Sequence, residues 1–135
     1  MSDWNDDIID EFRANDGMVG GIFEGKPILL LHHKGAKTGT ERVNPLMYQQ
    51  VGEAYAIFAS KGGADTNPDW FHNLRAHPDV TIEVGTDKID VRARIVDGGE
   101  MDQIWERQKR DFPQFADYEE KTARGQIPVI VLEPA

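Results

Sequence analysis

Cysteine is absent from this chain, which removes disulfides, thiolate metal sites and cysteine nucleophiles from consideration. The same absence fits a reducing cytosol, so a cytoplasmic location is expected. Serine is nearly absent. Ser2 and Ser60 are the only two, and neither lies in a G-x-S-x-G elbow, so a serine hydrolase has no support. No apolar run approaches the roughly 20 residues of a membrane-spanning helix. The opening residues, Met1-Ser2-Asp3-Trp4-Asn5-Asp6-Asp7, lack the basic and apolar regions of a signal peptide. Positive charge is in deficit: 15 Lys and Arg stand against 24 Asp and Glu, and the net charge of −9 argues against a nucleic-acid partner. No H-E-x-x-H pattern and no His–carboxylate cluster at ligand spacing occurs, so no metal is predicted. Neither the Walker pattern nor the G-x-G-x-x-G fingerprint marks a phosphate loop.

What is present fits one domain spanning residues 1–135. Residues 1–16 form an N-terminal segment in which Asp3 to Ala14 reads as an amphipathic helix, with Trp4, Ile8 and Phe12 recurring every fourth position and Ile9 beside them. That helix packs on the domain or acts as a lid, and its acidic face argues against attachment to anionic lipid. Residues 17–135 supply the rest. Pro27 to His33 reads as a buried strand, and Arg42 to Val51 as one alternating strand whose Pro45 implies a sheet edge or bulge. Ala54 to Ala59 is a third strand. A short helix starts at Asn67-Pro68, with Asn67 as cap, and closes before Pro78. Val80–Val84 and Ile89–Ile95 form a hairpin around Gly85-Thr86-Asp87-Lys88. Met101, Ile104, Trp105, Gln108 and Phe112 mark a helix that Pro113 ends, and Pro128–Leu132 is the last strand. The predicted class is mainly β with flanking helices, its sheet largely antiparallel and its strands, about six, suited to a small closed or half-open barrel.

The chemistry concentrates in His33-Lys34-Gly35-Ala36-Lys37-Thr38-Gly39-Thr40-Glu41-Arg42. Between residues 26 and 42, Lys26, Lys34, Lys37 and Arg42 oppose only Glu41, a net of +3 inside a chain of −9. A compact cationic turn in an acidic protein suits one small anion, such as a phosphorylated cofactor, better than a nucleic acid. Glycines let the backbone approach, Lys brings a mobile charge, and Arg brings a fork that matches phosphate oxygens. An ordinary solvated hairpin loop is the other reading of the same residues. Ser60-Lys61-Gly62-Gly63 is a second anion-compatible loop, and the two loops could close on one extended ligand. His32 and His33, adjacent on a strand, point to opposite faces. With no evident acid, base or nucleophile, an enzyme of this kind leaves the hard step to a bound cofactor.

These residues resemble the deazaflavin-dependent nitroreductase family of actinobacteria. The resemblance rests on Gly35-Ala36-Lys37-Thr38-Gly39 with Arg42-Val43-Asn44-Pro45-Leu46, on Ala59-Ser60-Lys61-Gly62-Gly63-Ala64-Asp65, on Asn67-Pro68-Asp69-Trp70-Phe71-His72-Asn73-Leu74, and on the ending Ile127-Pro128-Val129. It implies a split β-barrel, like the flavin-binding barrels, that binds coenzyme F420, an 8-hydroxy-5-deazaflavin with a phosphate-linked polyglutamate tail. The reduced cofactor passes hydride to a small-molecule acceptor, a quinone or a nitroaromatic. The resemblance places the phosphate region on Ala36, Lys37, Thr38 and Arg42. It places the ring along Val43, Asn44, Pro45, Leu46 and Met47. It adds contacts from Phe58, Ala59, Ser60 and Lys61, and from Asp69, Trp70, Phe71, His72 and Asn73. Tyr118 looks like the tyrosine that faces the acceptor. Trp70, Phe58 and Pro45 are expected to wall a flat ring. An FMN-dependent barrel oxidoreductase and a non-catalytic deazaflavin carrier are the alternatives. Sheet edges of such barrels often pair, which makes a homodimer compatible. Ala36 stands where the family often has a basic residue, with Lys34 as the compensating cation. Phe71 and Phe115 stand where tyrosine is frequent, which bears on acceptor choice.

Overall fold

The structure, a computed structural model, describes residues 3–21, 25–63, 66–123 and 127–135, with the side chains of residues 3–5 outside that description. Helix α1 (Asp3–Ala14) precedes strands β1 (Ile28–Lys34), β2 (Glu41–Met47), β3 (Gln49–Val51) and β4 (Ala54–Phe58). A 3₁₀ turn at Lys61–Gly63 leads to α2 (Asp69–Ala76) and the hairpin β5 (Asp79–Val84) and β6 (Asp87–Val96). Helices α3 (Gly98–Asp111) and α4 (Gln114–Lys121) then precede β7 (Val129–Pro134).

All strand pairs are antiparallel, in the order β2-β1-β5-β6-β7-β4-β3. The class expected from the sequence holds: a mainly β chain whose sheet curls into a half-barrel with flanking helices. The strand count differs: seven among the described residues instead of about six. The run 42–51 is not one strand. Tyr48 interrupts it, donating its N–H to Pro27 O (3.1 Å), and β3 leaves β1 to pair with β4. β2 and β3 therefore lie on opposite edges of the sheet with one residue between them, which forces the sheet to curl. Pro45 sits in edge strand β2, where its missing N–H costs no ladder bond.

The sheet buries both faces. On the inner face Leu29 and Leu31 of β1 join Ile57, Ile82, Val91, Ile130 and Leu132, and α2 adds Trp70, Phe71 and Leu74. On the outside, α3 and α4 bring Met101, Ile104, Trp105 and Phe115 against Phe58, Val129 and Val131. Helix α1 covers Ile28 and Leu30 with Ile8, Ile9 and Phe12. Three apolar side chains of this size, each stabilising by about 1.5–3 kcal/mol on burial, outweigh the weak helix propensity of an Asp-rich segment. The predicted helix 3–14 and its stripe are present, with the Trp4 side chain outside the described residues.

Two helix boundaries depart from expectation. Pro68, not Asn67, is the N-cap of α2, because its ψ of 157° is extended and helical geometry starts at Asp69. Pro113 does end α3, but at φ −57° and ψ −21° it is already helical and starts α4, a helix that the sequence pattern did not mark. Among the described residues no helix is long and apolar enough to cross a membrane.

Candidate functional site

Strand alternation decides which expected residues meet. Register pairs His33 with Arg42, Leu31 with Asn44 and Leu29 with Leu46, so Arg42, Asn44 and Leu46 share the inner face. Val43, Pro45 and Met47 pair with His32, Leu30 and Ile28, and Val43 and Met47 pack against the cluster under α1. The stretch 43–47 thus cannot line one cavity as a block. Only Asn44 and Leu46 point the way Arg42 does.

The turn after β1 closes on itself. Gly35 N–H donates to Thr40 O and Gly39 N–H to Gly35 O, both at 2.9 Å. The Thr38 hydroxyl lies over Gly35, where a Cβ would stand 2.7 Å from Thr38 Oγ1. Any side chain at position 35 would displace that hydroxyl. Across from the turn stands the start of α2. Between them runs a groove of about 410 Å³ lined by Gly35, Ala36, Lys37, Thr38, Arg42, Asp69, His72 and Asn73. The fold thereby joins the first turn and the α2 segment, far apart in sequence, around one space. Its cationic side chains are Lys37 and Arg42, and its acid is Asp69. The lining is net positive in a chain of −9.

A polar chain fixes this groove. Ala36 N–H donates to Asn73 Oδ1 (2.9 Å), Asn73 Nδ2 donates to His33 Nδ1 (3.0 Å), and His33 Nε2 donates to Asn44 Oδ1 (2.6 Å). Burial pushes the His33 imidazole below the ordinary histidine range, against the opposing effect of the Asn44 bond. The sequence placed His33 on the opposite face from His32 and gave it no role. Its neighbour His32 donates instead to Glu83 (2.6 Å), which also binds Arg13 of α1 at 2.8 Å and 3.3 Å.

Other expected residues fall elsewhere. Lys34 follows His32 in strand alternation and lines a second groove together with His32, His33, Glu41, Asp79 and Thr81. It is not among the residues that line the groove of Ala36. Trp70 is buried among inner-face residues, Phe58 among α3 and α4 residues, and Pro45 is buried on strand β2, so these three do not wall a common space. Phe71 and Phe115, both under 6% exposed, are core residues. Ala59 is wholly buried, while Ser60 and Lys61 lie at the loop end. Lys61 adopts a left-handed φ of 48°, a strained choice for a non-glycine residue, and donates from Nζ to Thr66 Oγ1 (3.3 Å). Ala64 and Asp65 of that motif lie outside the described residues. Tyr118 belongs to this second region. A Cβ on Gly63 would stand 3.1 Å from Tyr118 Cα, so α4 rests directly on the loop. Phe115 meets the Tyr118 ring edge-on at 5.2 Å.

Comparison with known proteins bears on what such a groove holds. Residues 6–134 match the family model described as F420H(2)-dependent quinone reductase. A curated F420H(2)-dependent quinone reductase of Mycobacterium tuberculosis (strain H37Rv) is 40% identical over 125 residues, covering 90% of this chain and 83% of that one. A solved structure described as an F420-H2 dependent reductase superposes with a TM-score of 0.72 at 38% identity, covering 79% of this chain and 94% of its own. Another, described as a domain-swapped dimer, gives 0.74 at 34% identity and covers 98% of both chains.

Proposed function

Because this chain belongs to the F420H(2)-dependent quinone reductase family, and is thereby an oxidoreductase with F420 as its cofactor, we propose that the groove between the 35–42 turn and α2 receives the cofactor's anionic arm. The observation that carries this is the meeting of Lys37, Thr38 and Arg42 with the α2 start around one space. The residues fit such a group. Lys37 and Arg42 offer charge-assisted donors to phosphate or carboxylate oxygens. Thr38 Oγ1 accepts from Thr40 N–H (3.3 Å), which leaves its own proton to donate outward. Ala36 N–H is already committed to Asn73, so the grip comes from side chains more than from the backbone. Asp69 opposes the anion at close range and limits how much negative charge the groove tolerates.

The ring is proposed along the inner-face residues beyond Arg42, namely Asn44 and Leu46, with Ser60 and Lys61 adding contacts. Bound there, reduced F420 would supply a hydride, and a quinone gaining it together with one proton from solvent would leave as a quinol. Tyr118 is proposed to orient the acceptor through its hydroxyl, as the residue on α4 that sits on the second loop. The remaining chemistry is positional: two flat partners held face to face with water kept out. Quinones are the first acceptor class and nitroaromatics the second.

Titration of the purified protein with F420, followed by cofactor fluorescence, tests the binding step. Oxidation of reduced F420 by a soluble quinone, with a nitroaromatic in parallel, tests the reaction. Saturable binding at micromolar concentration and quinone-dependent turnover are expected. Absence of either would remove the proposal.

A further inference from the structure

One imidazole joins four parts of the site. His33 lies on β1 and is 2% exposed. It reaches Asn44 on β2 at 2.6 Å and Asn73 on α2 at 3.0 Å, and Asn73 in turn holds Ala36 of the turn at 2.9 Å. Asn73 is itself only 7% exposed. One proton arrangement satisfies all three contacts. Ala36 N–H can only donate, so Asn73 must face it with its oxygen and face His33 with its NH₂. That NH₂ can only donate, so His33 Nδ1 carries no proton. The neutral ring then bears its proton on Nε2, which Asn44 Oδ1 accepts.

We propose that His33 is a positioning residue for the anion cradle: neutral, it pins the 35–40 turn against α2 in the arrangement that receives F420, and gaining a proton unpins it. The proposal rests on the reading of the groove given above. A proton on Nδ1 would set two donors face to face across the His33–Asn73 contact. Turning the Asn73 amide over relieves that contact but sets its NH₂ against Ala36 N–H, so the same conflict reappears at the other end. Either way the chain from β2 to the turn loses a bond. In the first case the lost bond is the one that ties α2 to β1, and in the second it is the one that ties the turn to α2. His33 acts only through Asn73 and Ala36, and nothing in the groove lining requires it to touch the cofactor.

The groove that His33 itself lines also holds Lys34, Glu41, Asp79 and Asp90, and three groups act on the ring most directly. Arg42 across the β1–β2 pair and His32 beside it on β1 oppose a second positive charge, while Asp69 at the start of α2 favours one. An anion arriving at Lys37 and Arg42 would also favour protonation, so cofactor binding and the neutral ring are in tension as pH falls. The latch is therefore weakest where the bound anion most encourages protonation.

The test is F420 affinity by fluorescence titration from about pH 8 to about pH 5 in the wild type, His33→Gln and Asn73→Asp. Ionisation of F420 itself affects all three proteins, so the ratio to His33→Gln is read. Wild-type affinity should fall roughly 3- to 10-fold more than that of His33→Gln over this range, the worth of one hydrogen bond. In Asn73→Asp the carboxylate accepts from both Ala36 N–H and a protonated Nδ1, so the acid loss should vanish or reverse, whatever the absolute affinity. In the unliganded wild type, ring ¹⁵N shifts should show a proton on Nε2 and none on Nδ1 at neutral pH. That measurement stands even where a variant fails to fold. A proton on Nδ1, or equal pH profiles in the wild type and His33→Gln, would overturn the proposal alone. No F420 binding by the wild type at any pH would remove the cradle and this proposal together.

Discussion

The attachment of α1 to the half-barrel can be broken by acid through one carboxylate, Glu83. Arg13 reaches it with Nη2 at 2.8 Å and Nε at 3.3 Å, and His32 adds a third bond at 2.6 Å. Chiefly through the Arg13 bond, and despite partial burial, the Glu83 carboxyl is lowered from its ordinary 4.5 to about 2. A group held below its unfolded value stabilises the fold fully above that value. Its contribution fades as pH falls from about 4.5 toward about 2. The gap of roughly two and a half pH units sets a ceiling of about 3.5 kcal/mol, at roughly 1.4 kcal/mol for each unit. The Arg13 side chain is 49% exposed, so solvent screening reduces the expected figure to about 1–2 kcal/mol. Urea unfolding of the wild type and Glu83→Gln across this pH range measures it. At neutral pH the variant should be less stable by about 1–2 kcal/mol, and the difference should shrink toward zero as the acid limit is approached. Hydrogen exchange should show α1 amides losing protection first. A difference that stays constant with pH would refute the electrostatic origin, and one that grows in acid would reverse its sign.

Lys37→Ala and Arg42→Ala should each weaken F420 binding by about 1.5–3 kcal/mol where the contact is charge-assisted, with the lower figure expected for these exposed side chains. Calorimetry decides, and unchanged affinity in both would place the anionic arm elsewhere. Gly35→Ala should cost about 1–3 kcal/mol in stability, because the added carbon meets Thr38 Oγ1 at 2.7 Å. Adding Thr38→Ala should recover most of that loss in thermal unfolding, and the absence of such coupling would contradict the contact. Tyr118→Phe should lower quinone turnover while leaving F420 affinity within about twofold. An equal loss of cofactor binding would move Tyr118 out of the acceptor side.

The parts of the fold that were legible in the sequence are those set by local alternation. The β5–β6 hairpin, β7 and the α1 stripe follow directly from period-two and period-four apolar patterns. The break at Tyr48 was not legible, because alternation runs through it unchanged and only the exchange of sheet partners ends the strand. Helix α4 was missed because Pro113 was read as a stop, whereas a proline also suits the first turn of the next helix. At the site, the cationic turn stood out by charge alone. The ring wall did not survive, since Pro45, Phe58 and Trp70 each look available in a linear sequence and each faces a different layer. His33 was invisible for a related reason: its partners lie 11 and 40 residues away, and nothing in one asparagine announces that it will orient a histidine. The proposed cradle would by itself suit FMN as well as F420. Family membership, not geometry, separates those two.

The single residue that joins Met47 to Gln49 has a further effect on what the molecule can accommodate. With both rims of the sheet tied by one peptide unit, the circumference is fixed covalently and cannot relax by sliding one margin past the other. A bulkier guest cannot be admitted by widening the wall without tearing paired backbone. Variation in ligand size must instead be absorbed by the 35–40 bend, the Lys61 loop and the helices above them, so engineering for larger acceptors belongs there.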